Sequence, residues 1–200
     1  MLTKLILSDA DGCLLAWEEM FSSWMQECGY TLTDTASKSY SLHERYNELD
    51  QQSTMTAVKQ FNESAAIAFL PAFRDSAYYV KRLHEEHGYE FRVITSLGLN
   101  QNAQKLREMN LRNIFGNAIE SIIYLDTGAD KDAALAPYKD TGLYWIEDKF
   151  SNYKLGLDLG LKSILMLHPY NIQEYPLHGQ IAHNWQRVYE IITTEGSKKY

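Results

Sequence analysis

The sequence predicts an α/β fold: a Rossmann-like, three-layer sandwich on a five-stranded parallel sheet, with a small α-helical unit inserted after the first strand. Three observations predict it. Five short runs of apolar and β-branched residues recur along the chain without the alternation of a half-exposed strand, so each suits a strand buried on both faces. Helical patterns separate the later runs, which calls for right-handed crossovers and parallel pairing. Between the first run and the second, residues 15–72 contain no buried strand at all, too much chain for one crossover.

Taken in order, residues 4–8 (KLILS) form the first strand. Residues 18–27 read as a helix with Trp17, Phe21, Trp24 and Met25 on one face, followed by helices over 39–49 and 54–68. Pro71 marks the return, giving a core of residues 1–14 and 73–200 and an insertion of 15–72. A helix over 74–87 stops at Gly88, before a strand over 91–95 (FRVIT). A helix over 100–109 leads to a strand over 121–125 (SIIYL), one over 132–138 to a strand over 143–146 (LYWI), and one over 151–159 to a strand over 163–167 (SILML). The tail, residues 196–200, reads as frayed.

A chain of 200 residues with 45% hydrophobic and 22% charged residues can bury a sizeable core. The net charge of −7 argues against binding a nucleic acid polymer, which needs a positive footprint, but leaves room for a local phosphate pocket. Cys13 and Cys28 form neither a disulfide framework nor a C-x-x-C motif, and read as reduced packing residues. The amino-terminal MLTKLILSD meets an acid too soon for a signal peptide, and no run approaches the roughly 18 apolar residues of a membrane span. A soluble, cytoplasmic protein is expected; nothing in the sequence speaks to its oligomeric state.

Ligands of open α/β sheets bind beyond the carboxyl ends of the strands. The first strand delivers Asp9 and Asp11 there, and the second Thr95 and Ser96. The loop after the third carries Asp126, Asp130, Lys131 and Asp132, and the fourth strand delivers Glu147 and Asp148, with Asn152 shortly after. Carboxylates converging at this density call for a hard cation, and with no His or Cys cluster that cation is Mg²⁺. A lysine and a hydroxyl among the acids suit an anion that meets the metal, most simply a phosphate. The six histidines (His43, His84, His87, His168, His178 and His183) show no ligand spacing.

DADG at 9–12, VITS at 93–96, Lys131, and WIEDKFSN at 145–152 resemble, in order, the four motifs of the haloacid dehalogenase-like superfamily, the aspartate-nucleophile phosphatases. The resemblance implies Asp9 as nucleophile and Asp11 as general acid and base, its proton favoured by the neighbouring acid. Dehalogenating relatives lack that second acid, so phosphate chemistry is implied. Thr95 and the Ser96 amide would bind the phosphoryl oxygens, and Lys131 would neutralise nucleophile and transferring group. Asp9, Asp148 and the Asp11 carbonyl would ligate Mg²⁺, with Glu147 acting through a water and Asn152 in the outer shell. Lys105 and Lys139 stand as alternatives for the third-motif lysine. Cys13 takes a place where the family usually has Thr or Val, and Glu147 one where Asp or Gly is commoner.

By the same resemblance, residues 15–72 correspond to a helical cap, suited to a small phosphorylated metabolite, while 97–120 is too short for the other large cap type. The aromatics Trp17, Phe21, Trp24, Tyr40, Tyr46 and Phe61 either stack on a base or, as the preferred reading, form the cap's own core. LPAFRDSAYYVKRL at 70–83, with GYEFRVITS and WIED, is loosely similar to the 5′(3′)-deoxyribonucleotidase branch, which points to a nucleoside monophosphate. Sugar phosphates and other small monoesters are the alternatives, and a non-catalytic phospholigand-binding protein is the competing class.

Overall fold

Six parallel strands form one sheet in the order β3-β2-β1-β4-β5-β6 in the computed structural model, which describes residues 4–34, 36–47, 49–174 and 179–197. They are β1 (Lys4–Ser8), β2 (Tyr89–Thr95), β3 (Ile119–Tyr124), β4 (Tyr144–Glu147), β5 (Lys162–Met166) and β6 (Gln180–Ala182). The central strand β1 pairs with β2 on one side and β4 on the other. Strand order reverses here, so the carboxyl end of β1 opens onto the crevice where such sheets hold ligands. Ile6, Leu7, Ile94, Trp145, Ile146 and Ile164 are wholly buried, as continuous apolar runs covered on both faces should be.

The sheet has one strand more than the five the sequence predicts. β6 is only three residues long and adds to the β5 edge. Helices α3 (Ser76–His87), α4 (Gln101–Phe115), α5 (Asp132–Leu135) and α6 (Phe150–Asp158) form the connections between strands. α4 runs past the expected end at Met109 because Leu111 and Phe115 continue its buried face as far as Gly116. A last helix, α7 (Trp185–Ser197), is not anticipated by the sequence reading and carries through Gly196 and Ser197. The rest of the tail read as frayed lies outside the described residues.

Asp75 joins α7 to α3, its carboxylate accepting from the Trp185 and Gln186 amides at 2.7 and 3.0 Å. The buried Trp185 indole donates to the Cys13 carbonyl at 2.8 Å. Cys13 is fully buried, and burial pushes its thiol well up, which leaves it a packing residue. No helix among the described residues is long and apolar enough to cross a membrane.

Between β1 and α3 lie α1 (Trp17–Glu27), α2 (Gln51–Glu63) and three 3₁₀ turns, at Ala36–Lys38, Leu42–Arg45 and Ala65–Phe69. The helix expected over 39–49 is absent. The Ser39 hydroxyl bonds the Ser41 carbonyl and amide instead, Tyr46 is extended and bridges to Leu32, and residue 48 lies outside the described set. The helix expected over 54–68 starts earlier, capped by Asp50 on the Ser53 amide at 2.7 Å. It breaks at Ser64, whose hydroxyl caps the next turn. The chain leaves and returns side by side: the Ala16 amide donates to the Pro71 carbonyl, and the Phe73 amide to the Leu14 carbonyl. One apolar cluster runs from Ile6, Phe91 and Val93 of the sheet to Phe21, Phe61 and Ile67 of the insertion.

Candidate active site

The carboxyl ends of β1, β2 and β4 and the loop before α5 meet at one point. Asp9 continues β1, its amide donating to the Ile146 carbonyl at 2.9 Å. Its Oδ1 accepts from the Ala10 amide at 2.7 Å and from Lys131 Nζ at 2.9 Å. Lys131, at the start of α5, also reaches Glu147 Oε2 at 2.8 Å and is almost wholly buried. Glu147 ends β4 with both oxygens engaged. Oε1 takes the Asp148 and Lys149 amides, and Oε2 takes Asn152 Nδ2 at 3.2 Å as well as the lysine. One oxygen each from Asp9, Glu147 and Asp148 lies within 4.8 Å of the others.

Burial sets the electrostatics. It raises Asp9 to about 7, opposed by Lys131 and reinforced by Glu147 and Asp11. Asp148 rises to about 6, chiefly through burial and then the charge of Asp9. Glu147 rises for the same first reason. Burial works against the Lys131 ammonium, but Asp9 and Glu147 outweigh it and hold the group above its ordinary value. One buried cation thus faces three buried acids, an oxygen-only set that fits a hard divalent cation.

The sign of the pH dependence follows. Asp9 and Asp148 bind protons more readily folded than unfolded, so their contribution to stability is present below about 4 and is lost as pH rises through about 6 to 7. Without divalent cations, the melting temperature is expected to fall from about pH 5 to pH 8, and a divalent cation to remove most of that fall. Calorimetry with and without a chelator measures both; a flat profile without metal contradicts the charge balance.

Thr95 ends β2 fully buried, and its Oγ1 has no hydrogen-bond partner among the described residues. Ser96 beside it donates from its hydroxyl to the Ala129 carbonyl at 3.1 Å and lines the cavity. Asp11 does not join the carboxylate cluster through its side chain. Its Oδ1 lies 2.5 Å from Arg107 Nη1, so its partner is a cation and not the neighbouring acid. Lys105, Lys139, Asp126, Asp130 and Asp132 are exposed and stand apart from the cluster.

A cavity of about 480 Å³ opens above these groups. Asp9, Asp11, Lys131 and Asp148 line its floor, and Trp17, Tyr40, Arg45 and Met55 of the insertion its far wall. Of the aromatics singled out by sequence, Phe21, Phe61 and Tyr46 are buried in the insertion's own core, where Phe21 stacks on Trp17 and meets Phe61 edge-on. Trp17 and Tyr40 alone among those six face the cavity.

Sequence reasoning missed Arg107, His168, Tyr170 and Asn171. The Tyr170 hydroxyl donates to Asp148 Oδ2, and Asn171 Nδ2 to the Asp148 carbonyl. The His168 ring stacks between Phe73 and Tyr170 and donates from Nε2 to the Gly12 carbonyl at 2.7 Å. Gly12 has φ +74°, and a Cβ there would lie 2.6 Å from Asp148 Oδ2, so the turn needs glycine on both counts. Tyr170 and Asn171 sit on the loop after β5, with no spacing to announce them. Arg107 carried a signal, a charge on the buried face of a helix.

No protein-family model matches the sequence. A curated relative, the uncharacterized 32.4 kDa protein in the Gp30-rIII intergenic region of Enterobacteria phage T4, is 24% identical over 140 residues. That match spans 68% of this chain and 49% of the phage protein, so the chain aligns with about half its length. Among solved structures, a HAD family hydrolase from Deinococcus radiodurans with bound phosphate and sodium is similar at TM-score 0.60 and 16% identity, covering 96% of each chain. The D,D-heptose 1.7-bisphosphate phosphatase from B. bronchiseptica, complexed with magnesium and phosphate, gives 0.57 and 14%, covering 96% of this chain and 99% of that one. The L-2-haloacid dehalogenase PA0810 gives 0.57 and 13%, covering 95% and 99%. At such identities the likeness is one of fold, and it spans two chemistries.

Proposed function

The chain has the haloacid dehalogenase-like fold, and on that premise we propose that it is a Mg²⁺-dependent phosphatase of small phosphate monoesters. One observation carries the reading: three buried carboxylates cluster, two of them paired to one buried lysine, beside a strand-end threonine hydroxyl that lacks a partner among the described residues. An unpaired buried hydroxyl costs free energy, and a phosphoryl oxygen would satisfy it. The presence of Asp11 favours phosphoryl transfer over dehalogenation.

Asp9 and Asp148, with the Asp11 carbonyl, would hold Mg²⁺, with Glu147 and Asn152 behind them. Bound there, the cation offsets charge on the phosphoryl oxygens. An Asp9 carboxylate oxygen attacks phosphorus, the bond to the leaving oxygen breaks, and Asp11 gives that oxygen a proton. Asp11 then takes a proton from water, whose oxygen attacks phosphorus. The bond to Asp9 breaks, releasing inorganic phosphate and restoring the carboxylate. Lys131 balances the charge on the Asp9 carboxylate and, while Asp9 is esterified, on the phosphoryl group, as Thr95 and the Ser96 amide hold that group.

The insertion serves as a cap, limiting the leaving group to a small metabolite and excluding water. Nucleoside monophosphates are the first candidates, from the motif resemblance and from Trp17 and Tyr40 on the cavity wall. Sugar phosphates are the second; the similar heptose bisphosphate phosphatase acts on one. Purified protein is expected to hydrolyse p-nitrophenyl phosphate with Mg²⁺ and to lose activity to a chelator. A panel of nucleotides and sugar phosphates then ranks the substrates. No turnover of any ester by the wild-type protein overturns the phosphatase reading.

A further inference from the structure

We infer that Arg107 is the positioning residue of Asp11, fixing one carboxylate oxygen so that the other is aimed at the leaving group; this rests on the phosphatase reading. Arg107 lies on α4, fully buried, and reaches Asp11 Oδ1 at 2.5 Å. It is the one hydrogen-bond partner of the Asp11 side chain among the described residues. Arg107 does not line the cavity, whereas Asp11 does, so the guanidinium approaches the acid from behind and leaves Oδ2 for proton transfer.

Packing does not explain this residue. Arg107 Nε and Nη2 are buried without partners among the described residues, so the side chain bears desolvation that an apolar residue of similar volume would not. Its only return among the described contacts is the bond to Asp11. Three residues further along α4, Asn110 Nδ2 donates to the Leu70 carbonyl at 2.9 Å, where the insertion rejoins the core. One helix therefore fixes both the acid and the returning linker. Asp11 sits on a short turn beside Gly12, with φ +74°, and its side chain has no other anchor among the described residues.

Leaving-group dependence tests the role. A p-nitrophenolate departs with little need of a proton, whereas an alkoxide needs one. Arg107→Met is expected to lower kcat for the best alkyl phosphate of the substrate panel roughly tenfold or more beyond its effect on p-nitrophenyl phosphate, with KM for both within about twofold. Arg107→Lys should recover part of that ratio. In an Asp11→Asn background, Arg107→Met should leave the ratio unchanged, because the group it positions is gone. Should Arg107→Met fail to fold, Arg107→Lys is read by the same ratio. Equal losses on both esters, or no loss, overturn the inference and leave the phosphatase reading standing; a wild-type protein without turnover overturns both.

Discussion

Asp9→Asn is expected to reduce phosphate ester hydrolysis to background, a loss of at least about 10⁴-fold, while the protein stays folded. Size separates the two effects. The asparagine oxygen can still accept from the Ala10 amide and Lys131, the two partners of Asp9 Oδ1. It cannot form the acyl phosphate. Stability should change by no more than about 1 kcal/mol, because relief of crowding between buried acids offsets the weaker bond to the lysine. Kinetics and a urea melt on the same preparation check both halves. Retained turnover with unchanged KM would remove Asp9 from the nucleophile's place; loss of both fold and activity would make its role structural.

Lys131→Met carries the second large effect, and it falls on stability as well as rate. The lysine is the shared partner of Asp9 and Glu147, all three deeply buried. Removing one partner of a buried ionic set leaves the others uncompensated, at a cost of about 3 to 5 kcal/mol. Catalysis should fall about 10²- to 10³-fold through loss of charge stabilisation. A divalent cation supplies positive charge to the same carboxylates, so it should stabilise the variant more than the wild type. Urea titrations with and without Mg²⁺ read this directly. A variant as stable as wild type without metal would mean that the acids are neutralised by protonation alone.

The strand frame was legible because its runs are apolar, short and broken by polar residues where the chain leaves the sheet. β6 was not, since three residues give no periodicity to read. α7 could have been found: Trp185, Val188 and Ile192 recur at helical spacing and are all buried. The missing helix at 39–49 shows the opposite error, a helical pattern defeated by a serine, Ser39, whose hydroxyl bonds the backbone two residues on. In the site, residues at strand ends were readable because topology gathers those ends. Tyr170 was not, because it approaches the acids from a loop whose packing no local pattern specifies, and Arg107 showed only as a charge on the buried face of a helix, with nothing local to name its partner. The partner of Asp11 shows the cost: adjacency in sequence suggested Asp9, and the fold supplies an arginine.

The central place of β1 has a temporal consequence. Its two neighbours in the sheet lie far along the chain, at Tyr89–Thr95 and Tyr144–Glu147, and the turn that follows it is tied by Trp185. Such pairings close long loops and form late. During synthesis both acids of the first turn emerge almost at once, but the lysine, the second and third carboxylates and the indole that pins the turn must be made before the ensemble exists. A partly made chain therefore exposes two ordinary aspartates with little hold on a metal ion, and competence arrives only once segments as distant as Trp185 dock.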